Sequence, residues 1–555
     1  MLDGRSPDED EVLQTDLCIV GAGVSGITLA REFIGSSVQV LLVESGDTSP
    51  TSDTQELAKG EVTGRSYFDL DNSCRRGVGG SSWGWCIDLP DGKTGARLRS
   101  LDAIDFEERP EIPYSGWPIT LSDLEPYYEQ AHEVFELGPY KNDEKYFSSS
   151  NASLLSAQDH TIETTIFRFA DARLFTHKYP GDLRQAPNIT ILTSTTVLGL
   201  ETNESADHVC AARSRTLTES SIRIESSQFV VAAGGLQTPR LLLLSDRHQP
   251  EGLGNQHDLV GRFFMEHLHN RAWSPDAGLL IPSGRDPSEE LRLYHRIQEV
   301  DGTAFLGYMT PKADLLRAEG LANYCCHFRP DSDLDYELNP YHFTEGYTSF
   351  RRMAYAACGR ADLPDHPFRR LWSALKGIPD VAQVIVDKLA GRTPGEDSPH
   401  VNTGPRSFAV FQMAEQTPNP ESRVTLGSEQ DAFGQPRVRL NWQLQPRDFR
   451  NIQRAQQLVA DAIENSGVGR FLVPSVDEIR ETVNAGGHHH MGTTRMSEAP
   501  QNGVVDPDCK VHGVDNLYIA GPSVFPTSGC ANPTLTIVAL AIRLADHLQD
   551  VMNRN

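Results

Sequence analysis

The chain is short of the features that would place it in a membrane, on nucleic acid or in a disulfide scaffold. No apolar run approaches the ~20 residues a helix needs to cross a bilayer, so membrane insertion is not expected. Basic residues are outnumbered: 50 Lys and Arg against 76 Asp and Glu give a formal charge of −26, which disfavours both nucleic acid and anionic lipid as partners. Cysteine is sparse and odd in number, nine residues scattered without metal-type spacing. Reduced thiols in a cytoplasmic protein are expected, and no metal. The first residues, Met1-Leu-Asp-Gly-Arg-Ser-Pro-Asp-Glu-Asp, are acidic and polar rather than signal-like, so the sequons at Asn151, Asn188 and Asn203 carry no weight. Internal repeats and low-complexity tracts are missing as well. At 555 residues the chain exceeds a single core, and two domains are expected.

What is present begins with a glycine turn. Leu17 to Val20 is a short apolar run suited to a buried parallel strand, followed by Gly21-Ala-Gly23-Val-Ser-Gly26 and a helical stretch from Val24 to Phe33. Gly21 permits the tight turn, Gly23 lets backbone approach a pyrophosphate, and Gly26 lets helix and strand pack closely. Amide N–H groups at that helix start then face phosphate. A second strand, Val38 to Val43, ends at Glu44, where the dinucleotide fingerprint places an acid on the ribose hydroxyls. A carboxylate there disfavours a 2′-phosphate, and hence NADP.

The cofactor domain is expected to be assembled from separated pieces, residues 12–90, 188–270 and 484–555. Ile189 to Leu192 and Phe229 to Ala232 read as strands, the latter followed by Gly234-Gly-Leu-Gln-Thr-Pro-Arg240. Residues 91–187 and 271–483 are richer in proline, aromatics and charge, and are expected to form a substrate lobe on a largely antiparallel sheet. Within them Phe408 to Gln416 and Arg437 to Trp442 read as strands and Gln445 to Gly467 as an amphipathic helix. Helix is also expected around Leu371 to Leu375 and Val381 to Leu389, with core packing its plain explanation and a membrane-peripheral face the alternative. The fold class is therefore α/β, a Rossmann-like domain of discontinuous segments with a second lobe.

Further motifs are strung along the chain: Gly77-Val-Gly-Gly-Ser-Ser-Trp-Gly-Trp85, Gly261-Arg-Phe-Phe-Met-Glu-His267, Pro418-Asn-Pro-Glu-Ser-Arg-Val424, and a C-terminal run from His489 to Ala545. In this order, and with the fingerprint at Gly21–Glu44, the chain resembles the glucose–methanol–choline family of flavin oxidoreductases, on the branch near pyranose oxidase and the fructose and gluconate dehydrogenases. The resemblance implies FAD as cofactor. It also implies a catalytic histidine seven residues before the methionine closing His488-His489-His490-Met-Gly-Thr-Thr-Arg-Met496, which is His489. That residue would take the substrate hydroxyl proton while the carbinol hydride passes to flavin N5. An imidazole of ordinary pKa, ~6.5, is a neutral base near pH 7. Extended backbone sends alternate side chains to opposite faces, so His488 and His490 are expected to pack or to bond backbone. Their other reading, a metal pair, has no cysteine or carboxylate cluster to support it.

The family's second active-site position falls on Asn532. The same residue precedes Pro533, and Leu540, Leu544, Leu548 and Val551 follow at helical spacing, so Asn532 also reads as an N-cap with proline at the first helical position. A helix starting there presents N–H groups and its positive dipole end to the flavin. By resemblance, Gly79, Gly80 and Ser81 lie along the cofactor, and Val197 touches adenine through its backbone. Gly521, Pro522 and Ser523 match the stretch beside the ribityl chain and pyrophosphate, and Pro533 and Thr534 are expected to bind the cofactor. Relatives often carry, between two tryptophan-like positions, a histidine that in some of them bonds the flavin covalently. Here that position is Gly84, between Trp83 and Trp85, so FAD is expected to be non-covalent. No role for His267 follows from its motif.

The reading is a FAD-dependent oxidoreductase that converts a CH–OH group, of a sugar, glycoside or polyol, to a carbonyl, with oxygen or a separate carrier as electron acceptor. Its rivals are oxidation of a non-sugar alcohol in secondary metabolism, a lyase that keeps FAD structurally, and a flavin-binding subunit without chemistry of its own.

Overall fold

The computed structural model describes residues 2–5, 11–141, 143–149, 160–269, 271–272, 278–280, 291–330 and 407–554. The helices expected between Leu371 and Leu389 lie outside the described residues. Five parallel strands form the centre of one sheet, in the spatial order Ile189–Thr193, Val40–Val43, Glu11–Val20, Ser221–Val231, Leu517–Ile519. Leu17 to Val20 pairs with Val40–Val43 on one side and Gln228–Val231 on the other. It is sealed from water on both faces, which is why it reads as a continuous apolar run rather than an alternation. Antiparallel strands Val209–Arg215 and Thr196–Thr202 extend this sheet at one edge.

The C-terminal piece therefore supplies the sheet's last parallel strand, and it also supplies a long helix, Thr534–Asn553, that packs against the first helix, Val24–Arg31, and against Leu121–Val134. Leu535, Val538, Leu540, Ile542, Leu544 and Leu548 of the long helix are buried. Each fully buried aliphatic side chain stabilises by ~1.5–3 kcal/mol, so this apolar face is what fastens the two ends of the chain together.

A second sheet is antiparallel and carries Thr94–Leu98, Ile162–Asp171, Thr303–Pro311, Tyr324–Pro330 and Ser407–Ala414 in adjacent positions. Helix Pro446–Ser466 covers part of it, opened by a capping box between Gln445 and Asp448 and closed by Gly467 in the left-handed region. A third, small sheet pairs Arg423–Gln430 with Pro436–Trp442 and then with Gly60–Gly64. The strand Gly60–Gly64, which falls in the N-terminal cofactor piece, is thus built into a sheet made by the central piece. Among the described residues no helix is long and apolar enough to cross a membrane, and no disulfide joins any two of the eight described cysteines.

Candidate active site

A cavity of about 510 Å³ opens where the parallel strands end. The residues at or just past the carboxyl ends of all five strands line it: Gly21 after Val20, Glu44 after Val43, Thr195 after Thr193, Ala232 after Val231, and Ala520 after Ile519. Open α/β sheets hold their ligands at this edge because the loops diverge there and helix N-termini point inward. Gly21 has φ +111°, and a Cβ on it would stand 2.6 Å from the Ala232 carbonyl oxygen. Gly23 and Gly80 face each other so closely that a Cβ on Gly80 would stand 2.8 Å from Gly23 Cα. The second glycine loop is tied to the first by Gly79 N–H donating to Ala22 O at 2.8 Å. Ser25, in the first turn of helix Val24–Arg31, lines the cavity with a buried hydroxyl that has no protein partner. A glycine cradle, a helix N-terminus and an orphan hydroxyl together fit a dinucleotide's phosphates.

Glu44 is the acid of the fingerprint, and its carboxylate is already engaged. Oε2 accepts from Ala22 N–H at 2.9 Å, and Oε1 accepts from Gly46 N–H at 2.8 Å and Gly77 N–H at 3.0 Å. Two carboxylate oxygens offer about four lone-pair sites, so one remains for a ribose hydroxyl. The residue thus joins three loops at the cavity edge besides facing a ligand.

Of the other residues expected along the cofactor, Ser81, Val197, Gly521, Pro522, Pro533 and Thr534 line the cavity, as do His489 and Asn532. Gly26, Gly79 and Ser523 do not. A Cβ on Gly26 would overlap the Gly21 carbonyl oxygen, so that glycine serves helix–strand packing. Gly79, at φ +106°, shapes the turn. Trp83 donates from Nε1 to Val78 O at 2.8 Å, while Trp85 packs on Phe135 and Phe175 and also lines the cavity. Gly84 lies on the cavity wall, and a Cβ there would meet nothing within 4 Å.

The histidine wall is set by one short antiparallel pairing. Met265 and Met491 exchange both backbone hydrogen bonds at 3.0 Å. The ladder stops there, and beyond it the N–H groups of His267 and His489 both donate to the Glu266 carboxylate, which brings the two residues together. Their Nδ1 atoms are 2.7 Å apart. His489 Nε2 meets Asn532 Nδ2 at 3.1 Å, while Asn532 Oδ1 is buried without a partner. His488 takes a left-handed conformation, φ +54°, and packs against Phe68 with the rings tilted by 49°. His490 is buried against Tyr67 and Phe264. The three rings therefore point apart, and the described residues contain no group of three metal-ligating side chains.

Burial holds the His489 imidazole well below its ordinary 6.5, helped by charge at His267, His269, Arg97 and His488. Burial likewise depresses His267 to about 4 and His490 to about 3. A neutral His489 at pH 7 therefore has more margin than an exposed imidazole would. Glu266, fully buried, accepts from Tyr67 Oη–H at 2.7 Å, His267 N–H at 3.0 Å and His489 N–H at 2.9 Å. Burial pushes its carboxyl up to about 7 against these bonds.

Asn532 corrects one expectation. The long helix starts at Thr534, its N-cap is Pro533, and no side chain caps it. Asn532 lies one residue too early and its amide is turned to His489 instead.

Sequence reasoning missed Glu266, Tyr67 and the pair Gly486-Gly487, and it named His267 without a role. A Cβ at Gly486 would overlap the His269 ring and one at Gly487 the His489 ring. Two glycines directly before three histidines were the available signal. The contact with Glu266 had none, since 223 residues separate it from His489.

A family model of GMC oxidoreductases matches residues 418–541. The chain is 24% identical to 6‴-hydroxyparomomycin C oxidase of Streptomyces lividus, covering 96% of this chain and 92% of that one. It is 22% identical to the fructose dehydrogenase large subunit of Gluconobacter japonicus, covering 97% and 98%. Among solved structures, a formate oxidase of Aspergillus oryzae, in a variant made to follow FAD modification, superposes with a TM-score of 0.54 at 18% identity over 99% of this chain and 100% of that one. The matched C-terminal segment contains His489 and Asn532, the relatives align over more than nine-tenths of their length, and the fold is shared with a solved oxidase: the chain is similar to the GMC oxidoreductases in that segment and to named oxidases and dehydrogenases over almost all of its length.

Proposed function

We propose that the chain oxidises a CH–OH group of a sugar, glycoside or polyol to a carbonyl, using FAD held non-covalently in the cavity at the parallel strand ends. The carrying observation is that His489 Nε2 and the Asn532 amide meet on the wall of that same cavity, with Asn532 Oδ1 buried and unpartnered. Gly21, Gly23, Gly80, Ser25 and Glu44 would hold the cofactor's phosphates and ribose. Bound there, FAD supplies a two-electron acceptor for the carbinol hydride. His489 takes the hydroxyl proton at Nε2. The single Nε2 lone pair meets Asn532 Nδ2, so the substrate hydroxyl must displace that N–H from it, and the released Asn532 Nδ2 can then donate to the substrate oxygen as charge grows on it. Gly84 offers no nucleophile, which supports the non-covalent reading. Two of the relatives are named for fructose and for hydroxyparomomycin C, and this supports the substrate class.

The test is anaerobic mixing of the holoenzyme with a panel of sugars, glycosides, polyols and simple alcohols, followed at the flavin absorbance band. Bleaching by carbohydrates is expected. Product formed without bleaching would instead favour a lyase, and bleaching confined to non-sugar alcohols would move the substrate class. His489→Ala should keep FAD but slow bleaching by roughly 10²–10⁴-fold, the contribution of a positioned general base. Near-normal bleaching in that variant would refute the base assignment.

A further inference from the structure

His267 is fully buried, touches the base, and has no part in the reading above. Its surroundings fix its protonation. Nε2 lies 2.9 Å from Gly529 O and 3.2 Å from Ser528 O, two carbonyl oxygens that only accept. Nε2 must therefore carry the proton, and in the neutral ring Nδ1 is then a lone pair. That lone pair sits 2.7 Å from His489 Nδ1. His489 must donate across this contact, so its own proton is on Nδ1 and its lone pair on Nε2, the atom on Asn532. Asn532 cannot enforce this alone, because an amide turned over would accept from Nε2–H equally well. The chain of constraint starts in the backbone at residues 528–529 and ends at the atom that meets substrate.

We infer that His267 is a positioning residue that locks His489 in the Nδ1–H tautomer and shares the positive charge His489 acquires. The inference rests on His489 being the base. When the substrate O–H bond breaks and an N–H bond forms at Nε2, the imidazolium keeps its Nδ1–H on His267. The two carbonyl oxygens behind His267 face the incoming charge. Glu266 Oε1 lies 3.8 Å from His489 Nδ1, and its three partners, Tyr67 Oη–H and two backbone N–H groups, all donate into it, as suits a carboxylate. Against this stand His267 once it is itself protonated, His269, Arg97 and His488, whose charges oppose protonation of His489, while Glu415 favours and Arg97 opposes protonation of His267.

The test uses 15N-histidine-labelled protein and the variants His267→Gln and His267→Leu. In wild type at neutral pH, His489, assigned by its loss in His489→Ala, should show the shifts of the Nδ1–H tautomer. Nε2–H there would overturn the inference without any variant. Gln can accept from Nδ1–H through its side-chain oxygen, so His267→Gln should keep the tautomer and flavin reduction within about tenfold of wild type, whereas His267→Leu should mix the tautomers and slow reduction about 10²-fold, the low end for a positioned general base. The acid limb of the reduction rate should move to lower pH in His267→Leu, because the imidazolium loses an acceptor. An unchanged tautomer, rate and limb in His267→Leu, with reduction still lost in His489→Ala, would overturn the inference alone. Normal reduction in His489→Ala would overturn the base assignment first.

Discussion

Three consecutive histidines meet three environments because the backbone turns each ring a different way, and only His489 is offered hydrogen-bond partners on both ring nitrogens. The residues alone predicted only that the three rings would not share one face; His489 was separated from its neighbours by the resemblance, and the backbone divides the rings through the left-handed His488 rather than by extended alternation. The ordinary pKa of an imidazole was not the right guide to His489, because the ring is buried and flanked by Arg97. The consequence has a definite sign. The base works when neutral, above its pKa, so a depressed pKa means the rate of flavin reduction holds as pH falls through 6.5 and drops only at more acidic pH. Stopped-flow reduction across that range checks this, and a limb centred at or above 6.5 would contradict it. Glu44 teaches a similar lesson. Its place at a strand end was readable, but its bonds to Ala22, Gly46 and Gly77 join residues distant in sequence. Glu44→Gln turns one acceptor oxygen into an N–H₂ facing backbone N–H groups. It should weaken FAD retention and also lower the stability of the cofactor-free protein by ~1–3 kcal/mol, the cost of leaving buried groups unsatisfied. Denaturant midpoints with and without FAD separate the two losses, and an unchanged midpoint without FAD would mean the loops do not depend on this carboxylate.

Elements were legible where local chemistry announces them. Gln445 and Gly467 bracket their helix because one caps the first turn and the other supplies the left-handed exit. Leu17 to Val20 stands out as a wholly apolar run. The strands Thr303–Pro311 and Ile162–Asp171 went unread: the first is buried at every position and the second over six consecutive residues, so neither shows the alternation that marks a half-exposed strand. The start of helix Thr534–Asn553 was misread for a different reason. Asn-Pro is a strong cap signal, but the amide that would have capped the helix is 3.1 Å from His489 Nε2. This changes what Asn532→Ala should do. A lost N-cap typically costs ~1 kcal/mol, and here no capping bond exists to lose. The variant should therefore melt within a degree or two of wild type while reducing flavin more slowly, and His489 should still hold the Nδ1–H tautomer set from the other side of its ring. A fall in thermal midpoint of the size of a lost cap, with normal reduction, would return Asn532 to a purely structural role.

The whole molecule is organised by closure: strand Leu517–Ile519, the residues Gly486 to His490 and the first turns of helix Thr534–Asn553 complete a cavity begun by residues Val20 to Glu44. This is why the resemblance could be read from motifs scattered along the chain, while the antiparallel lobe was read in its sheet type and in some elements but not in the strands Ile162–Asp171 and Thr303–Pro311. The motifs are the places where distant segments must approach one cofactor, and the lobe is held by packing that many sequences satisfy. A cavity shared among so many segments couples ligand to fold. If FAD is non-covalent, acid precipitation should leave a colourless pellet and all flavin in the supernatant, and gentler stripping should lower the thermal midpoint. Adding FAD back at 100 times its Kd should restore about 2.7 kcal/mol of stability, the mass-action value for a ligand that binds only the folded state. Flavin left on the washed pellet would show an attachment residue other than the position occupied by Gly84. The cavity wall would then be searched for it, beginning with Cys74, Cys86 and His488, which carry the nucleophilic atoms that Gly84 lacks.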